Sequence, residues 1–301
     1  MKKGAVVKRS EGAAHHSSIF SGFSKVPLPL SPFFAFVGFF LMWPILAVTI
    51  RSFQGNKKEW TLENFRSIIH GPYLHGFVVS LKLATYTAAI GSLIGGFLAF
   101  VIIKYAGRKL TLIIDSTAAV FANSGGVPLA FMFIAAFGAQ GVLTKSLKSL
   151  GWDIYAGKFT LFSFSGLLLV YTFFQVPIMI IVFKPALKGL RKEWGEASQS
   201  LGANSLTFWR RVAIPILTPS FLGAFFLLFA SGFSAYATAR AMTVGNVPLV
   251  PLIIGSLVDG NVIANQVNLG DALAVGMVLI AVISMSGYLL AQKYAARWRT
   301  K

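Results

Sequence analysis

The stretch EASQSLGANSLTFWRRVAIP, residues 196–215, interrupts a chain that is otherwise dominated by long apolar blocks. Trp194, Ala197 and Leu201 recur at i, i+3 and i+7, so the spacing predicts a short helix with a narrow apolar stripe. Gly202 falls where a helix end calls for a residue that tolerates a left-handed backbone. Asn204 is placed to cap a second short helix, whose stripe is Leu206, Trp209 and Val212. Pro215 is expected to open the next segment, at a position where its missing N–H costs nothing. Two short helices bent at a glycine make a polar knob, not a membrane crossing.

Around this knob, composition sets the class. Of the 301 residues 55% are hydrophobic and only 12% charged, and the mean hydropathy is +0.71. A soluble domain carries about 25% charged residues. The apolar residues also come in blocks about a membrane thickness long, so an all-α, polytopic membrane protein is expected. The formal net charge of +18 would suggest a nucleic-acid partner in a soluble protein. Here the basic residues flank the apolar blocks, which points to topology and lipid attraction and to no nucleic acid. The absence of cysteine excludes disulfides, thiolate metal sites and cysteine nucleophiles.

Six spans are expected, over residues 32–50, 77–103, 115–137, 161–183, 215–238 and 272–291. Residues 1–31, with Lys2, Lys3, Lys8, Arg9 and Lys25, read as a flexible cytoplasmic tail rather than a cleaved signal. The organisation is then a tail (1–31), a six-span transmembrane domain (32–291) with an inner loop (184–214), and a basic tail (292–301). Lys82 is near the outer end of the second span and is expected to snorkel. The third span is interrupted at residues 123–128 by Asn, Ser, two glycines and Pro128. A packing kink and a helix facing a water-filled path both fit that break. Residues 247–258 are apolar but too short and proline-interrupted to span, so a re-entrant or interfacial helix is expected.

Lys and Arg set the orientation. With the N-terminus inside, the inner segments carry 18 of them and the outer loops 8, with Lys82 completing the 27. The excess puts both termini and the knob in the cytoplasm.

The knob's spacing resembles the EAA loop of ABC-importer permeases, the membrane subunits of binding-protein-dependent transporters. That pattern is Glu-Ala-Ala, three residues, Gly, nine residues, then Ile-x-Leu-Pro. Here it reads Glu196-Ala197-Ser198, Gly202, then Val212-x-Ile214-Pro215, with each spacing kept and mild replacements at three places. WTLENF (residues 60–65) after the first span is also common in these permeases, and such a start resembles the member that pairs with a different permease. Residues 126–141, GVPLAFMFIAAFGAQG, resemble the polyamine- and iron-type branch.

The resemblance implies a type I ABC importer permease in a bacterial inner membrane, moving a polyamine, iron, phosphonate or thiamine. It implies a cytoplasmic ATPase dimer that holds ATP and Mg, a second, homologous permease subunit, a substrate-binding protein, membrane lipids around it, and no cofactor on this chain. Glu196, Ala197, Ser198, Gly202, Leu206, Trp209 and Pro215 would dock the ATPase, with Trp194, Leu201, Leu206 and Trp209 either filling its cleft or bracing the loop against the permease's own inner ends. Asn123, Ser124, Gln175, Ser231 and Tyr236 are polar groups within spans and are the candidates to line the substrate path, interhelical hydrogen bonding being their other role.

No chemistry of the chain's own is expected, and no metal site. Gly157-Lys158 resembles part of a phosphate loop, but Trp152 stands where that loop needs glycine and Phe159 where it needs Ser or Thr. Gly232-Phe233-Ser234-Ala235 matches the short motif of intramembrane serine proteases. However, His15, His16, His70 and His75 all precede the second span, so no base comes from the later spans. An ion-coupled secondary transporter is the alternative. It needs ionisable groups inside the membrane, and of nine acids only Asp115 and Asp271 border spans.

Overall fold

A computed structural model describes residues 30–55, 58–157, 159–243, 245–259 and 267–297. Most of the two expected tails (1–29 and 298–301) and Lys158 lie outside the described residues. By contacts the chain divides into two units, residues 1–47 and 48–301. The described part of the first unit is most of α1 (Ser31–Ser52). Along it, Phe36 packs on Phe40 and Phe39 on Trp43, one helical turn apart, with ring centroids 4.4 and 5.8 Å apart.

The second unit begins with the end of α1 and continues through α2 (Glu63–Ile68), α3 (Gly71–Tyr105), α4 (Arg108–Asn123) and α5 (Val127–Phe137). Next come α6 (Val142–Ser149), α7 (Phe164–Lys188), α8 (Lys192–Ser200) and α9 (Ser205–Phe208). A π-helical turn (Trp209–Ala213) leads into α10 (Ile214–Ser234), followed by α11 (Ala237–Thr243), α12 (Val250–Val258) and α13 (Val267–Arg297). Among the described residues, six helical stretches are long and apolar enough to cross a membrane.

The centre of this unit is α3 against α7 and α10. Ala84, Ala88, Gly91, Gly95 and Ala99 are buried at three- and four-residue spacing, so α3 presents a stripe of small side chains. At Gly95 a Cβ would come within 2.7 Å of the Val176 carbonyl oxygen, so α7 lies directly against the α3 backbone. Below this crossing, Ile102, Met179, Phe183 and Leu217 share one core cluster. Phe77, Phe233, Leu257 and Leu273 share another, which brings in α12 and α13.

Three expectations need correction. The third span is not one helix over 115–137: α4 is a separate, more polar helix, and the apolar stretch runs Val127–Ser149 with a break at residues 138–141. The Asn123–Pro128 interruption is a complete break, because Gly126 takes φ +98° and Pro128 carries no N–H. At Gly126 both backbone groups meet protein. The Gly126 N–H donates to Thr238 Oγ1 at 2.9 Å, and that hydroxyl lies 3.2 Å from the Gly126 carbonyl oxygen.

Second, α7 does not stop before Lys184 but runs on to Lys188. The Lys184 ammonium is paired with Asp115 of α4, so a charge that looked like a span terminus is buried instead. Third, Pro215 does lie in the first turn of α10, but that helix does not start from a loop, because helix is continuous from Ser205 to Ser234. Proline has no N–H to offer at the change of register, and the π-turn there is closed by the Ile214 N–H donating to the Trp209 carbonyl. The apolar segment over 247–258 does form a short helix, α12, tied to α3 by the Val250 N–H donating to Ser80 Oγ at 2.9 Å.

Candidate functional site

The knob is built from two caps placed back to back. At the end of α8 the Ala203 N–H donates to the Ser198 carbonyl (3.0 Å) and the Gly202 N–H to the Gln199 carbonyl (2.8 Å). These two bonds are the Schellman pattern, which needs a left-handed residue, and Gly202 supplies it at φ +78°. One residue later Asn204 caps α9, its Oδ1 accepting from the Thr207 N–H and hydroxyl, each at 2.8 Å. The turn is therefore short and fully bonded.

The apolar stripes read from the sequence have different fates. Leu201 is 87% exposed and Leu206 75% exposed, so both are presented outward. Trp209 is half-buried and meets Phe100 of α3 edge to face, with ring centroids 5.1 Å apart. Trp194 is half-buried with the Arg191 guanidinium 5.9 Å from its ring centre. Glu196, Ala197, Gly202 and Pro215 are exposed and Ser198 half-buried. Among the described residues the Glu196 carboxylate has no ion pair, and only its backbone carbonyl is engaged, by Ser200 Oγ at 3.0 Å. The arrangement can do one thing chemically. It offers an unpaired acid and two leucines on a rigid turn that is helically continuous with a long apolar helix.

The path candidates are dispersed. Asn123 and Ser124 bond back to their own helix, Asn123 Nδ2 to the Ala119 carbonyl (2.8 Å) and Ser124 Oγ to the Val120 carbonyl (2.7 Å). Gln175 has no accessible surface, and its Nε2 donates to Thr87 Oγ1 (3.1 Å) and to the Leu228 carbonyl (3.4 Å). It therefore ties α7 to α3 and α10 rather than facing open space. Ser231 is half-buried on α10. Tyr236 is exposed, accepts a 3.1 Å bond from Arg240, and lines a recess of about 530 Å3 with Ser234 and Asp259 between the ends of α10, α12 and α13.

Sequence reasoning missed the partners of the charged groups. Arg51 Nε lies 3.0 Å from Asp271 Oδ2, while its Nη2 donates to Oδ1 at 3.4 Å. Arg240 approaches Asp259 at 3.6 Å, and Lys184 pairs with Asp115. The available signal was the position of Asp115 and Asp271 at span borders, where a charge needs a partner. The structure also brings segments expected inside together, because Phe100 meets Trp209 and Asp115 meets Lys184. Ser80 with Val250 and Asn268 with Gly55 join the segments expected outside.

No family model matches the chain. It is 29% identical over 186 residues to the probable sulfate transport system permease protein cysT of Helicosporidium sp. subsp. Simulium jonesii, covering 61% of this chain and 65% of that protein. It is 26% identical over 222 residues to the molybdenum transport system permease protein ModB of Mycobacterium bovis, covering 71% and 77%. The chain thus spans less than two thirds of the first curated relatives it matches. Among solved structures, a bacterial ABC transporter involved in the import of alginate superposes with TM-score 0.67 over 90% of this chain and 93% of that one, at 16% identity. That identity speaks for the fold alone. In fold, and in sequence over much of its length, this multi-pass helical protein is similar to the membrane permease proteins of ABC importers.

Proposed function

We propose that this chain is the permease subunit of an ATP-driven ABC importer, sited in a bacterial inner membrane with both termini in the cytoplasm. A separate ATPase pair holds ATP and Mg, a second permease subunit completes the path, and a substrate-binding protein delivers the solute. The observation that carries this reading is the capped turn at Gly202, with Leu201 and Leu206 exposed and its second helix running unbroken into the fifth crossing. Motion imposed on such a turn is transmitted along a helix rather than lost in a loop. Glu196 would accept a charge-assisted bond from a basic residue of the ATPase.

For the substrate, the named relatives favour a small tetrahedral oxyanion of the sulfate or molybdate class. A polyamine, ferric iron, phosphonate or thiamine is a second reading that rests on residues 126–141 alone. Ion-coupled secondary transport is less well supported, since Asp115 and Asp271 are both held in ion pairs.

The test is reconstitution of the chain with its ATPase and binding protein in proteoliposomes. Uptake of radiolabelled sulfate or molybdate is expected to require ATP. Glu196→Lys and Gly202→Trp are expected to insert normally and to lose both ATPase co-purification and uptake. Normal uptake by both variants would remove the docking role.

A further inference from the structure

A recess of about 320 Å3 lies where α3 turns into α4 and meets the last turns of α7. Arg108, Lys184 and Lys188 line it, against a single carboxylate, Asp115. That carboxylate is taken by Lys184, whose side chain is only 6% exposed. Arg108 and Lys188 are exposed and have no acidic partner among the described residues. They come from two helices, so the positive charge converges on the recess rather than following one face.

The backbone adds to it. Gly107 precedes α4 and offers no side-chain cap, which leaves the first N–H groups of a 16-residue helix without a capping oxygen. Arg108 is the first residue of that helix, so the positive end of the dipole lies at the Arg108 backbone, beside the recess its side chain lines. The remaining wall is apolar, made by Ile102, Ile103 and Leu112. Cationic groups above a greasy wall, at the end of the bundle that collects the Lys- and Arg-rich segments, match a phosphate joined to hydrocarbon.

We propose that this recess binds a phosphate-type anion, with the headgroup of an anionic phospholipid as the source its apolar wall favours. The Arg108 guanidinium and Lys188 ammonium hold the phosphate oxygens, while the Lys184–Asp115 pair forms the floor. This site does not depend on the transport reading, since lipid occupancy is measured without an ATPase or a substrate.

The experiment uses the full chain in nanodiscs that mix phosphatidylglycerol with phosphatidylcholine, and counts retained lipid by native mass spectrometry. Wild type is expected to retain phosphatidylglycerol preferentially, and Arg108→Gln/Lys188→Gln to lose that preference about tenfold. Lys109→Gln/Lys192→Gln removes the same charge nearby, outside the recess, and is expected to keep it. A second arm adds inorganic phosphate to phosphatidylcholine-only discs. A rise in Tm that the recess variant lacks, without any lipid preference, would support the site with a free anion as its ligand. Equal lipid retention by all three proteins, with no effect of phosphate on any, overturns the proposal.

Discussion

Trp209 stands edge-on to Phe100 with 5.1 Å between ring centroids, and this contact joins the knob to the C-terminal end of α3. One residue of the stripe that reads as docking surface is therefore a brace, while Leu201 and Leu206 are left outward.

Replacing Trp209 tests the brace. Trp209→Ala removes a ring contact worth about 1 kcal/mol beyond its buried area, while Trp209→Phe keeps an aromatic edge. The alanine variant is expected to insert normally but to lose ATP-driven uptake about tenfold, with phenylalanine close to wild type. Uptake equal in both variants would show that the knob needs no support from Phe100.

Gly202 isolates a backbone effect. A Cβ there meets no atom within 4 Å, so the cost of Gly202→Ala is conformational, about 1–2 kcal/mol for holding a left-handed residue. Gly202→Asn should be milder, because asparagine visits that region. Limited proteolysis is expected to cut the turn fastest in the alanine variant, slower in asparagine and slowest in wild type. Equal rates would mean that φ +78° is not required for the turn.

Gln175 and Thr87 give an asymmetric pair. Gln175 Nε2 uses Thr87 Oγ1, while Gln175 Oε1 is buried without a partner. Thr87→Val leaves Gln175 Nε2 with only its longer, 3.4 Å bond to the Leu228 carbonyl and should cost about 1–3 kcal/mol. Gln175→Leu removes the donor and the orphan oxygen together and should stay within about 1.5 kcal/mol of wild type. Thermal unfolding in detergent, with the double variant matching Gln175→Leu, is the check. A larger loss in Gln175→Leu than in Thr87→Val would contradict this account.

The Lys184–Asp115 pair is asymmetric in burial, the two side chains being 6% and 42% exposed. Asp115→Asn leaves a buried ammonium uncompensated and is expected to cost roughly 3 kcal/mol. Lys184→Met leaves an acid that reaches water, so its cost should be much smaller, and it should rescue Asp115→Asn in the double variant. Denaturation midpoints of the four proteins decide it. Equal losses in the two single variants would mean that burial does not set the energetics.

Much of the architecture was legible without coordinates, because its signals are local. A block of apolar residues is long enough to cross a membrane or it is not, and that counting matched long helices at five of the six expected places, the third being shifted and broken. The bend was legible for the same reason. Gly202 and Asn204 act through backbone bonds within five residues of themselves, and both caps formed where the spacing put them.

Tertiary structure decided what depends on partners distant in sequence. The sequence placed the fourth span over 161–183 with a loop from Lys184, whereas the helix runs on to Lys188 and Lys184 is paired with Asp115, 69 positions away. It left the break at residues 123–128 open between a kink and a water path, and Thr238, 112 positions on, satisfies the freed backbone with protein. It treated Leu201, Leu206 and Trp209 alike as apolar, and the position of Phe100 makes one a brace and leaves two exposed. Hydropathy and cap chemistry are written along the chain, whereas the state of a charge or a ring is set by whatever folds against it.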